Sequence, residues 1–472
     1  MTLLTNFTTN LTLSPISTLL PGNTWPARST PSTAPSTRAS PTVRSSGSRP
    51  TTFVTNDIEV FKRINAARST YNRDGWYEAI RYHPTEEHMF NVLDGARHDK
   101  MKARVMVAYG GREVEGVEGR VEDWRWWERD EIGRFGTRHL CSYLTMDVIT
   151  KLGFGDEFGY LKREEDVFGF LHEFREANWL MGIASDLPYL RNVLFSCWFL
   201  RWLGPKKTDK KGFGKLLGGV DEIVEKRYRQ WESGKDNTTH RDMMAVFLKN
   251  GLTQAEIEHE VVFMITAGSD TTATTMRTTI LNVITHPNVY LELKREIFKA
   301  AREGKAFNPV RYEEARALPY LQAVIHEGLR IRSPVTALFL KSVPPGGDTI
   351  CDHFIPGGTA IGVNISAINM SRKLYGDDAE FFRPERFLEV SQEQREEMYR
   401  NVESIFGSGR WTCAGQNMAW MELYKFLFEL FRHFDIEIAD PMTPMKTGSQ
   451  HIWLNQDFLV RFRESRTDYQ GT

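Results

Sequence analysis

The stretch Phe406-Gly407-Ser408-Gly409-Arg410-Trp411-Thr412-Cys413-Ala414-Gly415 is a loop with three glycines that delivers one cysteine to the start of an apolar helix. At such a position, backbone N–H groups and the positive end of the helix dipole lower the pKa of a thiol, and small neighbours let a flat cofactor approach the sulfur. An inert buried residue is the usual interpretation of a lone cysteine. The glycine-rich loop around Cys413 argues against that interpretation, and a thiolate at such a position can be a ligand of iron.

The helix predicted after Cys413 carries apolar residues at intervals of three and four, which is the pattern of a helix that faces a core. These residues are Met418, Leu423, Phe426, Leu427, Leu430, Phe431 and Phe434. We therefore expect Cys413 to be buried and yet electrostatically favoured as an anion.

A second long helix is predicted upstream, from Thr253 to about Thr285. It opens with Thr253 and Glu256 as a capping box and stops before Pro287. At 1.5 Å per residue it spans about 50 Å, which is enough to cross a whole domain.

The centre of this helix, residues 267–272, reads Ala-Gly-Ser-Asp-Thr-Thr. Glycine and β-branched threonine are poor helix formers, and an aspartate is costly to bury. Residues that are unfavourable in their predicted structure often mark a functional site. We expect a groove here, in which Gly268 leaves space for oxygen or substrate and Thr271 presents a hydroxyl beside it.

Two further motifs lie between the long helix and the cysteine. A predicted helix over 320–330 places Glu327 and Arg330 on one face, and Arg386 follows in the sequence Pro-Glu-Arg-Phe at 384–387. Taken alone, a Glu and an Arg three residues apart usually form an exposed ion pair that adds little stability.

These motifs, in this order, resemble those of the cytochrome P450 monooxygenases, and they cover most of the chain from Thr55 onward. The haem-binding loop of that family matches at Phe406, Gly409, Cys413 and Gly415. The arginine that the family has two residues before the cysteine is Trp411 here, with Arg410 one place earlier. The loop spelling is similar to that of filamentous-fungal members, including relatives of pisatin demethylase.

The resemblance implies a mainly α fold with small β-sheets that binds haem b through Cys413. It makes Glu327 and Arg330 the family's Glu-x-x-Arg signature, with Arg386 as a third, buried partner beneath the haem. The segment 267–271 is similar to the family's oxygen-binding motif, so that Asp270 and Thr271 would relay protons during oxygen activation.

The implied reaction inserts one atom of O₂ into a lipophilic small molecule, in secondary metabolism or detoxification. Electrons would come from NADPH through NADPH-cytochrome P450 reductase. Candidate residues of the substrate pocket, for each of which a core-only role is the alternative, are Phe263, Thr266, Ala267, Val335, Leu338 and Phe339.

Contacts to the haem propionates are implied for Arg410, for Lys341, and for His98 and Lys102 on a basic helix near residues 96–104. Basic helices are usually only solvated, and Lys341 could equally be a solvated lysine on an edge strand. Short strands are predicted over 335–341, 349–355 and 359–363.

Composition sets outer bounds on these interpretations. The chain has 472 residues, of which 41% are hydrophobic, so one large domain can enclose a ligand cavity. A net charge of −1 provides no general attraction to nucleic acid. The four cysteines show no spacing typical of zinc sites or disulfide frameworks, which fits a reducing, intracellular setting.

Residues 1–52 are rich in Ser, Thr and Pro and contain no acidic residue, so we predict that they are disordered and that a haem domain occupies 53–472. No apolar run is long enough for a membrane anchor, although the resemblance implies the endoplasmic reticulum membrane. The first sheet strands of the family are also expected to be missing. Either the N-terminal part is incomplete, or it is an organelle-targeting peptide.

Two other functions stay open at this point. One is a haem-thiolate isomerase or dehydratase, against which the Asp270–Thr271 pair argues because such enzymes need no proton relay to O₂. The other is a truncated, inactive haem-binding product.

Overall fold

The computed structural model describes residues 42–45, 50–110, 139–167, 169–234 and 242–465. Within these ranges the chain is mainly α-helical, as predicted. None of the described helices is both long and apolar enough to cross a lipid bilayer. The helices are α1 Ile58–Asn65, α2 Gly95–Tyr109, α3 Leu140–Phe154, α4 Tyr160–Arg163, α5 Phe170–Asp186, α6 Pro188–Leu194, α7 Cys197–Leu203, α8 Gly212–Glu232, α9 Met243–Lys249, α10 Gln254–Thr285, α11 Pro287–Arg302, α12 Tyr312–Arg316, α13 Pro319–Ile331, α14 Ile365–Asn369, α15 Arg372–Tyr375, α16 Gln392–Glu403 and α17 Gln416–His433.

The strands form one mixed sheet and three two-stranded ones. The larger sheet has the order β1-β2-β7-β4-β3, and the pairs are β5-β6, β8-β11 and β9-β10. The strands are β1 Thr42–Ser45, β2 Pro50–Thr55, β3 Asn72–Arg73, β4 Lys341–Ser342, β5 Asp348–Ile350, β6 His353–Ile355, β7 Ala360–Val363, β8 Phe434–Ile438, β9 Lys446–Gln450, β10 Ile452–Gln456 and β11 Val460–Glu464.

Helix α10 is the central element of the fold, and its predicted bounds are confirmed. The capping box is present: the Thr253 hydroxyl accepts from the Glu256 N–H at 3.2 Å, and the Glu256 carboxylate accepts from the Thr253 N–H at 2.8 Å. The helix packs against α3, α8, α13 and α17. One continuous apolar core joins α3, α10, α13 and α17, so these helices form a rigid frame around the loop that precedes α17.

Helix α17 faces this core as its sequence pattern predicts. All seven apolar residues singled out from Met418 to Phe434 are buried. Because α17 is anchored along its whole length, the loop 406–415 is held at a fixed place in the fold.

The predicted strands are confirmed only in part. Of the stretch 335–341, only Lys341 is in a strand; Phe339 has a φ of 47°, which an extended strand does not allow. The stretch 349–355 is a tight hairpin, because Cys351 and Asp352 both have positive φ and turn the chain between β5 and β6. Strand β7 lies inside the predicted 359–363.

Two strands lie where the sequence analysis expects none. Strand β1 is within the segment predicted to be disordered, and β2 spans the predicted boundary between residues 52 and 53. Backbone pairing explains the difference: β2 runs parallel to β7, with Thr52 opposite Ala360 and Thr55 opposite Val363. Phe53 of β2 is also buried, in the apolar cluster that contains Phe61 and Ile361, so both main-chain pairing and apolar burial hold this strand in the sheet.

Candidate functional site

Backbone hydrogen bonds within the loop 406–415 fix its conformation. The Cys413 N–H donates to the Phe406 carbonyl at 2.6 Å, and the Trp411 N–H donates to the Ser408 carbonyl at 3.1 Å. Gly409 has a φ of 55°, and a Cβ there would lie 2.3 Å from the Asn65 carbonyl oxygen at the end of α1. This glycine is thus required by the close approach of two backbones, whereas a Cβ on Gly415 would meet no atom within 4 Å. Gly415 is therefore the glycine that leaves open space beside the cysteine.

Cys413 lies in a recess. It carries accessible surface, yet surrounding protein desolvates the sulfur and raises the pKa of the thiol. The N–H groups of Gly415 and Gln416, at the start of α17, and the ammonium of Lys102 act in the opposite direction. The expectation that the cysteine is favoured as an anion is therefore wrong for the protein alone, since desolvation outweighs these three favourable groups.

The middle of α10 has one partly exposed stripe on an otherwise buried helix. Its members are Phe263, Thr266, Ala267, Gly268 and Thr271, and the residues between and around them are buried. Spacings of three, four and eight residues from Phe263 place Thr266, Ala267 and Thr271 on one face of the helix, and Gly268 lies at the edge of this face, towards α3. The predicted pocket and relay residues of α10 are therefore partly exposed, except for Asp270, which is buried.

Gly268 has a different role from the predicted one. A Cβ at this position would lie 3.3 Å from Cδ1 of Ile149, so the glycine lets α3 approach α10. Thr271 does present its hydroxyl on the exposed stripe, where the group donates back to the Ala267 carbonyl at 2.9 Å. The back-bonding expected of helical threonines is confirmed at this position.

Asp270 points away from the stripe, into a buried polar network. Its Oδ1 accepts from the Ser142 hydroxyl at 3.4 Å and lies 3.6 Å from the guanidinium of Arg175. Ser142 in turn accepts from Arg175 at 3.3 Å and from the fully buried Arg277. The second oxygen of Asp270 is buried and has no partner among the described residues. Ser142, Arg175 and Arg277 carry no local sequence signal, because they come together only through the packing of α3 and α5 on α10.

Aromatic rings connect the exposed stripe to the 335–341 segment. Phe263 stacks on Phe90 with ring centroids 5.0 Å apart, Phe90 meets Phe339 edge-on at 6.2 Å, and Phe339 meets Trp76 at 6.5 Å. The predicted pocket residues Val335 and Leu338 are also partly exposed here. Phe90 thus links two of the predicted pocket residues, Phe263 and Phe339, and Trp76 extends this aromatic chain. Neither Phe90 nor Trp76 was predicted from the sequence.

The predicted Glu-x-x-Arg trio meets in a fully buried cluster. Arg330 donates to both carboxylate oxygens of Glu327, at 2.7 and 2.8 Å, and Arg386 donates to Glu327 Oε1 at 3.0 Å. The remaining N–H groups of both arginines are bonded mainly to backbone carbonyls, among them Asn369 and Phe381. An exposed ion pair, the alternative interpretation, is excluded because all three side chains are 2% exposed or less.

Two of the predicted propionate contacts are occupied by other partners. Lys102 donates to the Arg410 and Thr412 carbonyls at 2.9 and 2.8 Å, so it braces the cysteine loop. Arg410 lies 3.0 Å from the Asp99 carboxylate and donates to the Ser69 carbonyl at 3.3 Å. Its guanidinium therefore already has a counter-charge in the protein.

The other two, Lys341 and His98, lie against the indole of Trp411. The Lys341 ammonium is 3.8 Å from the ring centroid, and the His98 ring is 4.4 Å away. Lys341 is buried, which excludes a solvated edge-strand lysine. Burial and the neighbouring cations lower the pKa of His98 to about 2, so its imidazole is neutral. A buried arginine that the sequence analysis missed, Arg73, stacks on the same indole at 4.4 Å.

These features fit an iron porphyrin. A recessed thiol at a helix start provides a ligand atom, and Gly415 leaves room beside it. Buried cations near Trp411 suit the two carboxylates of the porphyrin, and the exposed stripe of α10 leaves space for a substrate.

Comparisons with known proteins agree with this interpretation. The family model for cytochrome P450 matches residues 37–460. The chain is 43% identical to cytochrome P450 monooxygenase aba1 of Botryotinia fuckeliana over 435 residues, covering 89% of this chain and 84% of the relative. It is 39% identical to ABA1 of Pyricularia oryzae, covering 87% and 82%, and 41% identical to abl1 of Leptosphaeria maculans, covering 85% and 72%.

The fold has a counterpart among solved structures. The crystal structure of the cytochrome P450DA heme domain superposes with a TM-score of 0.69 at 17% identity and covers 88% of both chains. All three fungal relatives are described as monooxygenases, which favours oxygen insertion over rearrangement or dehydration. The chain belongs to the cytochrome P450 family, as a haem-thiolate monooxygenase of the filamentous-fungal type that uses haem b and receives electrons from a redox partner.

Proposed function

We propose that Cys413 is the axial ligand of the haem iron and that the substrate binds between the exposed stripe of α10 and the 335–341 segment. When bound, the haem would activate O₂ with two electrons and two protons, so that one oxygen atom is inserted into the substrate and the other is released as water. NADPH-cytochrome P450 reductase is the proposed source of the electrons.

The position of Cys413 is the observation that carries this proposal. Its thiol lies in a recess, and the N–H groups of Gly415 and Gln416 point to the sulfur and favour its anionic form. A coordinated iron would remove the desolvation penalty of the thiolate, because the metal supplies the positive charge that the protein alone does not. Cys141 and Cys197 also lie at helix starts, but Cys141 is fully buried in the apolar core and Cys197 is exposed on the surface, while Cys351 lies in the β5–β6 turn.

Thr271 is proposed to act at the reacting oxygen. The Thr271 hydroxyl donates a hydrogen bond to the Ala267 carbonyl. Its oxygen can therefore still accept a hydrogen bond on the partly exposed face of the helix. That acceptor can hold a water molecule that delivers protons. Asp270 is proposed as the group that supplies protons to this water, through its unpartnered Oδ2.

The pocket favours a lipophilic substrate. Phe263, Phe90 and Phe339 present aromatic surface, while Thr266 donates its only hydroxyl proton to the Val262 carbonyl. Few donors remain to hold a polar molecule in this part of the site. We propose a hydrophobic compound of secondary metabolism or detoxification as the substrate.

The test of the axial ligand is the absorption spectrum of the reduced carbon-monoxide complex. The wild type is expected to show the red-shifted Soret band of thiolate ligation, and Cys413→Ser is expected to lose it. Cys351→Ser is the matched control and should keep the band, because Cys351 lies in the β5–β6 turn. A wild-type spectrum typical of nitrogen ligation would contradict the proposal.

A further inference from the structure

The turn formed by residues 88–92 places an aromatic ring at the proposed substrate pocket. Four of its five residues are buried, and Phe90 alone is partly exposed. The ring centroid of Phe90 lies 5.0 Å from that of Phe263, on the stripe of α10, and 6.2 Å from that of Phe339. The position of this turn therefore decides where one aromatic wall of the pocket lies.

The two ends of the turn are hydrogen-bonded to each other. The Asn91 N–H donates to the His88 carbonyl at 3.1 Å, and the His88 N–H donates to the Asn91 side-chain oxygen at 3.0 Å. Neither bond uses the N–H or the carbonyl of Met89. Because Met89 is buried and a buried backbone group without a partner is costly, these two groups need partners from other parts of the chain.

Two charged side chains supply these partners. Glu260 Oε2 accepts from the Met89 N–H at 2.9 Å, and Arg73 Nη1 donates to the carbonyls of Met89 and Val92 at 2.8 and 3.1 Å. Glu260 lies three positions before Phe263 in α10. One turn of the helix thus carries both the acceptor that holds Met89 and the ring on which Phe90 stacks.

A carboxylate is a costly residue at position 260. Glu260 is 0% exposed, and an apolar side chain would be cheaper to bury in this part of α10. Its Oε1 accepts from the Tyr109 hydroxyl at 3.5 Å, and no cation of the described residues lies within ion-pair distance of it. Since no ion pair explains this acid, the bond to the Met89 N–H is the contact that does.

We propose that Glu260 is a positioning residue for the substrate, which holds the turn 88–92 through the Met89 N–H and so keeps the Phe90 ring against Phe263. Glu260 does not touch the substrate itself. The inference deepens the proposed function and rests on it, because it concerns how the wall of the substrate pocket is fixed.

The test compares the binding of two probes to the haem-loaded protein. Imidazole and clotrimazole both bind haem iron through a nitrogen atom, but only clotrimazole carries phenyl rings that extend to the pocket wall. The shift of the Soret band gives the Kd of each probe. In Glu260→Leu the Kd of clotrimazole should rise about 10-fold, whereas that of imidazole should stay within about twofold of the wild type.

Two further variants separate the hydrogen bond from burial and charge. Glu260→Gln keeps an oxygen that can accept from the Met89 N–H, so it should bind clotrimazole as the wild type does. Glu258→Leu is the matched control, because Glu258 is also buried on α10 but pairs with Lys207 at 2.7 Å and not with the turn. If Glu260→Leu does not fold, Glu260→Met replaces it.

A double-mutant cycle tests whether Glu260 acts through Phe90. Phe90→Ala removes the ring from the pocket wall and should itself weaken clotrimazole binding. Adding Glu260→Leu to Phe90→Ala should weaken binding little further, because the ring that Glu260 positions is then gone.

The outcomes separate this inference from the proposed function. If the wild type shows no thiolate ligation, the proposed function has failed. If the wild type shows it, the inference is overturned and the role of Cys413 stands when Glu260→Leu binds clotrimazole as Glu258→Leu does, weakens both probes equally, or adds fully to Phe90→Ala. A selective loss of clotrimazole affinity that Glu260→Gln does not show, and that disappears without the Phe90 ring, supports the inference.

Discussion

Asp270 and Thr271 are neighbours in α10, but their side chains leave the helix on different sides. Thr271 lies on the partly exposed stripe, whereas Asp270 is 4% exposed and faces Ser142 of α3. The two residues of the proposed proton relay therefore have separable functions. In the proposed relay Thr271 acts at the reacting oxygen, and Asp270 reaches it through its unpartnered Oδ2 and a water molecule, or by a rotation of its side chain.

Replacement of Thr271 by alanine should uncouple electron use from product formation. The Thr271→Ala enzyme keeps Cys413 and hence its thiolate spectrum, but it lacks the hydroxyl that accepts a hydrogen bond on the partly exposed face of the helix. We expect NADPH consumption to continue, with a larger share of electrons released as hydrogen peroxide. The measurement is product and peroxide formed per NADPH.

Thr275→Ala is the control for this prediction. Thr275 lies one turn further along α10, donates to the Thr271 carbonyl at 3.1 Å, and is buried. Its loss changes the same helix without removing a hydroxyl from the stripe. An unchanged product yield per NADPH in Thr271→Ala would count against the relay.

The Ser142 hydroxyl should position Asp270, since it donates to this carboxylate and accepts from both Arg175 and Arg277. Ser142→Ala leaves the carboxylate and the two guanidiniums without their common partner. We expect slower product formation, with an unchanged thiolate spectrum.

A double-mutant cycle tests this coupling. Asp270→Asn and Ser142→Ala should each slow turnover, and the double variant should be little slower than Asp270→Asn alone, because the serine acts through the aspartate. Additive effects would show that Ser142 has only a structural role.

Motifs that act within one element could be read from the sequence. The capping box at Thr253, the helix 319–331 and the apolar face of α17 depend on spacings of three and four residues, and the structure has all of them. The meeting of Glu327 with Arg386 was also foreseen, but it came from the family resemblance, because the two residues are 59 positions apart and share no local pattern.

Features that depend on packing between distant segments could not be read in this way. Arg73 reaches Lys341 only through the register of a two-residue strand pair, which is too short to leave a pattern. The contact of Gly268 with Ile149 depends on how α10 is rotated about its axis relative to α3. Successive residues are about 100° apart around a helix, so neighbouring positions can lie on the groove face and on the packing face. Phe339 is not in a strand, contrary to the prediction, because its backbone has a positive φ.

The buried trio around Glu327 should make a large contribution to stability. Glu327→Gln leaves the buried Arg330 facing a neutral amide in place of its carboxylate partner, whereas Arg386 keeps the Asp378 carboxylate at 2.9 Å. We expect the free energy of unfolding to fall by about 3–5 kcal/mol, measured by urea denaturation of the haem-loaded protein.

Glu59→Gln is the matched control. Glu59 also pairs with a cation three residues away, Lys62, but the side chains are 74% and 57% exposed. Solvent screens this pair, so its loss should cost less than about 1 kcal/mol. Equal costs for Glu327→Gln and Glu59→Gln would show that the trio does not support the fold.

Glu260 should make the stability of the protein depend on pH. Burial raises the pKa of its carboxyl from 4.5 to about 7, although the Met89 N–H, the Tyr109 hydroxyl and Arg73 favour the charged form. The folded state therefore prefers the neutral acid, while the unfolded chain ionises near its ordinary value.

The pH dependence follows from this difference. Below about pH 4.5 the carboxyl is neutral in both states and costs nothing. As the pH rises to about 7, the unfolded chain loses its proton first, so the free energy of unfolding falls, in total by about 3 kcal/mol, and then stays level. Glu260→Gln keeps a neutral group and lacks this decline. Urea denaturation at several pH values should therefore show that the free energy of unfolding of Glu260→Gln rises relative to that of the wild type between pH 5 and pH 8. If the two free energies change in parallel with pH, Glu260 stays ionised in the folded protein.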